Sequence, residues 1–171
     1  MGICGATSQA QVTAVNSRLV RPRIGLGTLS VAALPSAVNF TLVHGGVANG
    51  QSTVAITTTW SGLALISSAT LSAYFMIPAQ ALSGGTPVAY IPSSCIFGKV
   101  PTGIPTTFTA FTGTAPLGSP GGGLQLFSQS SILSLGWSRI DTLSFQINLT
   151  SLPQLPAATY TGVLILQAQA F

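Results

Sequence analysis

The chain has 171 residues, close to the usual size of one domain. Charged residues make up 4% of it and hydrophobic residues 47%, whereas roughly a quarter of an ordinary soluble domain is charged. With five basic residues, one acid and one histidine, the chain lacks the paired carboxylates and titratable clusters that catalysis needs, so we expect no enzyme and no cofactor.

The basic residues do not form a nucleic-acid-binding pattern. Arg18, Arg21 and Arg23 form one cluster, Lys99 and Arg139 are isolated, and no aromatic residue is interleaved with the cluster to stack on bases. Polar residues or glycine interrupt every apolar stretch, so no run of ~18 apolar residues is present for a membrane helix. We expect no nucleic-acid partner and no membrane span.

The low charge content also favours a location outside the cell. A charged surface usually keeps a concentrated cytosolic protein monomeric, and this chain does not have one. We therefore expect a secreted protein that is extracellular or held at the cell surface, and that functions in an assembled form.

The two cysteines leave their state open. Cys4 and Cys95 fit no metal or redox spacing. A disulfide between them would close a long loop and stabilise the fold by roughly 4 kcal/mol in the chain-entropy model. Two unpaired thiols and an intermolecular bond are the alternatives.

Residues 1–34 are predicted to form an extended N-terminal arm. The stretches 9–20 and 24–34 each resemble a strand, but Pro22 and the arginine cluster lie between them, which is more typical of an arm than of a packed hairpin. The alternative is that residues 24–34 are the first strand of a self-complete domain.

Residues 35–171 are predicted to form an all-β sandwich with Ig-like or Greek-key connections. Strand-favouring residues dominate, and apolar side chains recur with a period of two, most clearly at Leu143, Phe145, Ile147 and Leu149. Turns rich in glycine, proline and serine separate short strands with no helix between them. The predicted strands are 36–43, 53–60, 70–77, 88–91, 94–99, 106–112, 123–129, 142–149 and 160–170.

Two turn signals make specific predictions. Asn49-Gly50 lies between runs of alternating apolar residues and predicts a hairpin with a primed turn. Ser61-Gly62 predicts the end of the strand that contains Trp60.

The single histidine and the single acid do not make a catalytic site. His44 stands directly before Gly45-Gly46 in a predicted turn, and no G-x-S-x-G elbow supplies a nucleophile for a triad with Asp141. No short ligand spacing predicts a metal site. We expect His44 to be a solvated loop residue and Asp141 to pair with Arg139, two residues away on the same strand face.

Two motifs concern glycans. Asn39 and Asn148 each begin an N-x-[ST] sequence and alternate with apolar residues, so both side chains should point outward, as glycosylation requires. Trp60, Trp137, Tyr74 and Tyr90 could line a carbohydrate-binding surface, although aromatic residues of a sandwich more often pack in its core.

The closing segment, residues 152–171, resembles the last strand of exported pilin-like domains. In the archaic chaperone-usher pilins, the spore coat U type domains, a "P-A-G-x-Y-x-x-x-L-x-I-x-A" pattern enters the terminal strand. Ala158 stands here in the place of its glycine. The residues that match are Pro156, Ala157, Tyr160, Leu164 and Leu166.

The resemblance implies a filament subunit. An Ig-like domain that lacks one strand offers a groove that an extended N-terminal segment of the next subunit fills, and head-to-tail repetition gives a homopolymeric fibre. It also implies an assembly chaperone as a possible partner. A monomeric adhesin or carbohydrate-binding domain, and a capsid or shell protein, are the alternative functions.

The register of the donated strand stays open. One register places Ile24 and Leu26 on the inserted face, and the other places Leu29 and Val31 there. An upstream alternative centres on Val12, Ala14 and Asn16.

Overall fold

The computed structural model describes residues 8–18, 27–114 and 121–170. These residues form an all-β sandwich, as predicted, in which two single-turn 3-10 helices, Pro78–Gln80 and Ser93–Cys95, are the helical elements described. The strands are β1 (Ser8–Arg18), β2 (Gly27–Leu34), β3 (Ala37–Leu42), β4 (Val47–Asn49), β5 (Val54–Tyr74), β6 (Leu82–Gly84), β7 (Ala89–Ile91), β8 (Ile96–Lys99), β9 (Thr109–Ala110), β10 (Gly123–Asn148) and β11 (Thr159–Ala170).

Two long strands belong to both layers of the sandwich. β5 and β10 pair antiparallel along almost their whole length. The ribbon folds back on itself, because the rings of Phe127 and Trp137 in β10 lie 5.6 Å apart, whereas ten residues of straight strand span about 33 Å. Register shifts at Gln125/Phe127 and Ser134/Gly136 flank the bend, where bulges allow a strand to turn.

The fold-back creates the two layers. One layer has the strand order β3, β1, β11, then residues 69–74 of β5 and 123–130 of β10. The other has β2, residues 54–62 of β5, the later part of β10, β8 and β9. Short β4 also pairs with β10, and the β6–β7 pair joins β11.

Aromatic rings fill the space between the layers. The ring of Phe111 contacts the ring of Phe75 edge-on, with 5.5 Å between the ring centroids, and stacks on the ring of Phe145, with 6.1 Å between the centroids. The alternating side chains predicted for the core of β10 are all buried, which confirms that prediction; they are Leu143, Phe145, Ile147 and Leu149.

Two predicted turns are wrong. The strand does not end at Ser61-Gly62. β5 continues through both residues, with Ser61 paired with β10 and Gly62 paired with β2, and so joins two strands that were predicted separately. Asn49-Gly50 does not close a hairpin either. Asn49 pairs with β10 instead of β3, and the Gly50 N–H donates to the Phe145 carbonyl at 2.9 Å.

The described part of the predicted arm lies within the chain's own sheets. β1 is inserted between β3 and β11, and β2 pairs with β5. A kink at Pro35 and Ser36 takes the chain from β2 in one layer to β3 in the other. Transfer of either strand to a neighbouring subunit stays a prediction.

Candidate functional site

β1 occupies a slot between two strands that are distant from it in sequence. It runs parallel to β11 over ten residue pairs, from Gln9–Thr159 to Arg18–Ala168. Its first six residues pair antiparallel with β3, from Ser8–Leu42 to Thr13–Ala37. An N-terminal strand therefore closes one layer of the sandwich from within.

The sequence of β1 suits a slot with one buried face. Ala10 and Val12 are buried in the common core, while the intervening Gln9 and Gln11 face outward. This period of two is what anchors a strand in one register, because a slip by one residue would bury the glutamines.

Hydrogen bonds outside the regular ladders hold β1 at its start and just beyond its last residue pair with β3. The Gln9 N–H donates to the Ala158 carbonyl at 3.2 Å, and the Ala14 N–H donates to the Ser36 carbonyl at 2.8 Å. On the outer face, the Gln11 side-chain amide donates to the Asn39 side-chain carbonyl at 3.1 Å.

Withdrawal of β1 would open a groove with a defined chemistry. The facing edges of β11 and β3 would both lose their backbone partners, and buried unpaired peptide groups are costly. The floor would be apolar, since Phe40 and Leu164 are buried beside β1. Only another extended strand with small or β-branched residues at alternate positions satisfies both requirements.

The candidate donor residues are divided between described and undescribed parts of the chain. Leu29 is buried and Val31 half-buried in β2, opposite Trp60 and Thr58 of β5. Ile24 and Leu26 lie outside the described residues. The upstream alternative, with Val12 and Ala14, falls in the slot itself.

The end of the slot is shaped by the segment that carries the pilin resemblance. Tyr160 is fully buried at the start of β11, and its hydroxyl donates to the Pro156 carbonyl at 2.9 Å. Burial raises the pKa of Tyr160. Leu164 and Leu166, also matched in that pattern, are fully buried too.

Asp141 and Arg139 form the predicted pair, but in a buried setting. Arg139 is bidentate, with Nε and Nη2 each 2.8 Å from a carboxylate oxygen of Asp141, which is 0% exposed. The hydrogen bond to Asp141 raises the pKa of Arg139. The guanidinium also lies 5.0 Å above the ring of Phe127.

Thr102 completes this cluster and was not predicted from the sequence. Its hydroxyl donates to Asp141 Oδ1 at 3.1 Å and accepts the Thr142 N–H at 3.1 Å, while its carbonyl accepts from Arg139 Nη2. No pattern could have revealed it, because Thr102 lies in a loop about forty residues upstream of its partners. The cluster fastens that loop to β10 and leaves no carboxylate oxygen for chemistry.

The residues considered for glycans have unequal exposure. Asn39 is exposed and Asn148 is half-buried, and the Asn148 side-chain carbonyl accepts from both the backbone and the hydroxyl of Thr150. Among the aromatic residues, Trp60 and Tyr74 are buried, Trp137 packs on Phe127 and only Tyr90 is exposed. Those four therefore do not form a shared surface.

The cysteine prediction is left untested by the fold. Cys95 is buried at the end of a 3-10 helix and has no disulfide partner among the described residues. Cys4 lies outside them. A Cys4–Cys95 bond accordingly stays a prediction.

A cavity lies at the end of the sandwich where β1 begins. It has a volume of about 420 Å³ and is bordered by exposed His44 in the turn after β3 and by the segment that leads to Tyr160. Its walls are mostly apolar; they include Leu42, Leu149, Pro153, Leu155 and Ala157.

Other site classes find no support in the described ranges. In residues 8–18, 27–114 and 121–170, no group of three potential metal-ligating side chains comes together. No helix within them is long and apolar enough to span a membrane.

Comparisons with known proteins do not assign a family. No protein-family model and no curated protein matches the sequence. A solved structure to which the chain is similar is the yeast delta-COP-I mu-homology domain complexed with a Dsl1 WxWxV peptide. The match has 10% identity and a TM-score of 0.19, and it covers 84% of this chain and 54% of that one. At that TM-score the similarity does not define a shared fold.

Proposed function

We propose that the chain is the structural subunit of an extracellular filament and that β1 is the strand passed between subunits. The observation that carries this proposal is the position of β1: an N-terminal strand paired on both sides, between β3 and β11. A strand held in such a slot by backbone ladders can be replaced by the equivalent strand of another copy, because that strand offers the same backbone groups and the same alternating side chains.

β1 suits the donor role better than β2. Contacts that β1 makes in its own subunit are available unchanged in a neighbour, which is the condition for strand exchange between identical chains. Eight residues, 19–26, separate it from β2 and set how far it reaches. β2, by contrast, pairs only with β5 among the described strands, so its departure would leave one unpaired edge instead of a groove.

The pattern of exchange determines the assembly. Each copy donates one strand and accepts one, so the contact is heterologous and, where it does not close into a ring, builds a fibre. Only 4% of the residues are charged, which fits an assembly held together by apolar burial and backbone hydrogen bonds.

A reversible disulfide bond between β1 and β3, called the staple below, tests the proposal. Gln11 and Asn39 are antiparallel partners on the outer face, so Gln11→Cys with Asn39→Cys in a Cys4→Ser background can hold β1 in its own subunit. We expect no filaments by negative-stain electron microscopy after oxidation and filaments after reduction.

The matched control replaces the same residue types elsewhere. Asn49 and Gln146 are also outward cross-strand partners, joined by a 3.0 Å hydrogen bond, and neither belongs to β1. Their staple should leave filament formation unchanged in both redox states. Filaments from the oxidised Gln11–Asn39 staple, or a wild-type protein that stays monomeric, would reject strand exchange by β1.

The cavity beside the start of β1 supports a second candidate, a monomeric surface domain that binds a small ligand. Its volume of about 420 Å³ falls in the range of ligand sites, about 300–1,000 Å³. This reading predicts a folded monomer whose His44→Ala variant loses ligand binding while its stability is kept.

A further inference from the structure

Within the described ranges, β2 lies at the edge of its layer. Among the described strands it pairs with β5 only, through eight residues from Gly27 to Leu34. It contains no charged residue, no proline and no register shift. Natural sheets usually protect an edge strand with charged residues, prolines or bulges, and an edge strand without them is a template for another strand.

The outer face beside this edge is free of charge. In cross-strand rows, Leu34 lies next to Ala55, and Ala32 next to Thr57, which in turn neighbours Ile140. Leu34 is 74% and Ile140 61% exposed. The charged residues of the same part of β10, Arg139 and Asp141, face inward. Among the described residues, the charged side chain on the outer face of this layer is Lys99 of β8, which lies three strands away from β2.

We infer that β2 pairs antiparallel with β2 of a second copy and so continues the layer across a two-fold axis. An exposed row of peptide N–H and C=O groups is satisfied only by another extended backbone. An antiparallel edge is self-complementary, because the same strand supplies both sides of an isologous contact. Centred on Val31, the pairing sets Ser30 of each copy opposite Ala32 of the other.

This contact is distinct from strand exchange by β1. It uses a different strand, joins copies side by side and does not depend on the proposed filament. Both can be studied separately, since the oxidised Gln11–Asn39 staple blocks β1 transfer and leaves β2 free.

A charge-swap experiment on the full-length stapled protein tests it. In the variant Ser30→Lys with Ala32→Lys, antiparallel pairing brings lysines directly opposite each other, and Ser30→Glu with Ala32→Glu does the same with carboxylates. Both native side chains, Ser30 and Ala32, lie on the exposed outer face, so we expect the fold to tolerate these substitutions. In sedimentation velocity each variant alone should associate at least tenfold more weakly than the stapled parent.

The mixture of the two variants is the decisive sample. Opposite charges then face each other, and we expect association to return to the level of the parent or above it. Ser138→Lys, on the same face but in β10, is the matched control and should associate normally. Undiminished association of the lysine and glutamate variants, a mixture that stays dissociated, or a parent without dimers would overturn the inference.

Discussion

Asp141 shows how a single acid can be retained in a chain almost without charges. It is fully buried, yet two guanidinium hydrogen bonds and the Thr102 hydroxyl satisfy its carboxylate. The interaction joins the loop at Thr102 to β10, so its role is to fasten two elements. The sequence predicts the partner, since Arg139 is two positions away on one face, but the burial depends on a loop that only the fold brings near.

Removal of this charge should be costly. Asp141→Asn leaves the Arg139 guanidinium without its counter-charge, and we expect a loss of about 3 kcal/mol in the free energy of unfolding, measured by urea denaturation. The double variant Arg139→Met with Asp141→Leu removes both charges and should lose less than the single variant. A larger loss in the double variant would contradict this account.

Tyr160 should make stability fall at alkaline pH. Its pKa in the folded state is raised above the unfolded value of about 10, so its contribution is complete below that pH and is lost as pH rises through the folded pKa. Tyr160→Phe should cost about 1 kcal/mol near neutrality by leaving the Pro156 carbonyl without its donor.

The slope of the unfolding free energy against alkaline pH distinguishes titration of Tyr160 from the simple loss of its hydrogen bond. Between about pH 9 and 12, the Tyr160→Phe protein should lose less of its unfolding free energy than the wild type. Tyr90→Phe is the control, since Tyr90 is exposed. Equal slopes for the wild type and Tyr160→Phe would exclude Tyr160 as the titrating group.

At the scale of elements, β11 passes so close to the residue before β6 that no side chain fits between them. A Cβ on Gly162 of β11 would overlap the Ala81 carbonyl oxygen next to β6. Gly162→Ala should therefore destabilise by about 2 kcal/mol, as overpacking does. Gly136→Ala is the control, because the atom nearest to a Cβ at this position, the Trp60 carbonyl oxygen, would be 3.7 Å from it. Equal melting temperatures for the two variants would contradict this crossing.

Strands could be predicted locally, but their partners could not. Alternation located β3 and the cores of β5, β10 and β11, because one buried face imposes a period of two. The turn signal at Ser61-Gly62 failed because the pairing of Ser61 with β10 and of Gly62 with β2 outweighs the weak strand propensity of glycine. The slot of β1 depends on a pairing with β11 about 150 residues away, for which no local signal exists.

At the scale of the molecule, one apolar core supports both layers. Its buried residues form a single cluster, and the two layers share β5 and β10. Neither layer therefore has a core of its own, and neither is complete without β5 and β10. The two contacts proposed for other copies lie on different strands, so head-to-tail growth by β1 and side-by-side pairing by β2 are geometrically independent.

The parallel pairing of β1 with β11 also determines how the subunit resists tension. The two strands run in the same direction, so residue 8 and residue 170 lie at opposite ends of a ladder of ten residue pairs. Pulling these ends apart loads the ladder in shear, and its hydrogen bonds must fail together instead of unzipping one by one. Forced unfolding is governed by the rate of that rupture. If β1 is exchanged as proposed, the same ladder would join neighbouring copies, and the force that ruptures it would limit the mechanical strength of the proposed filament.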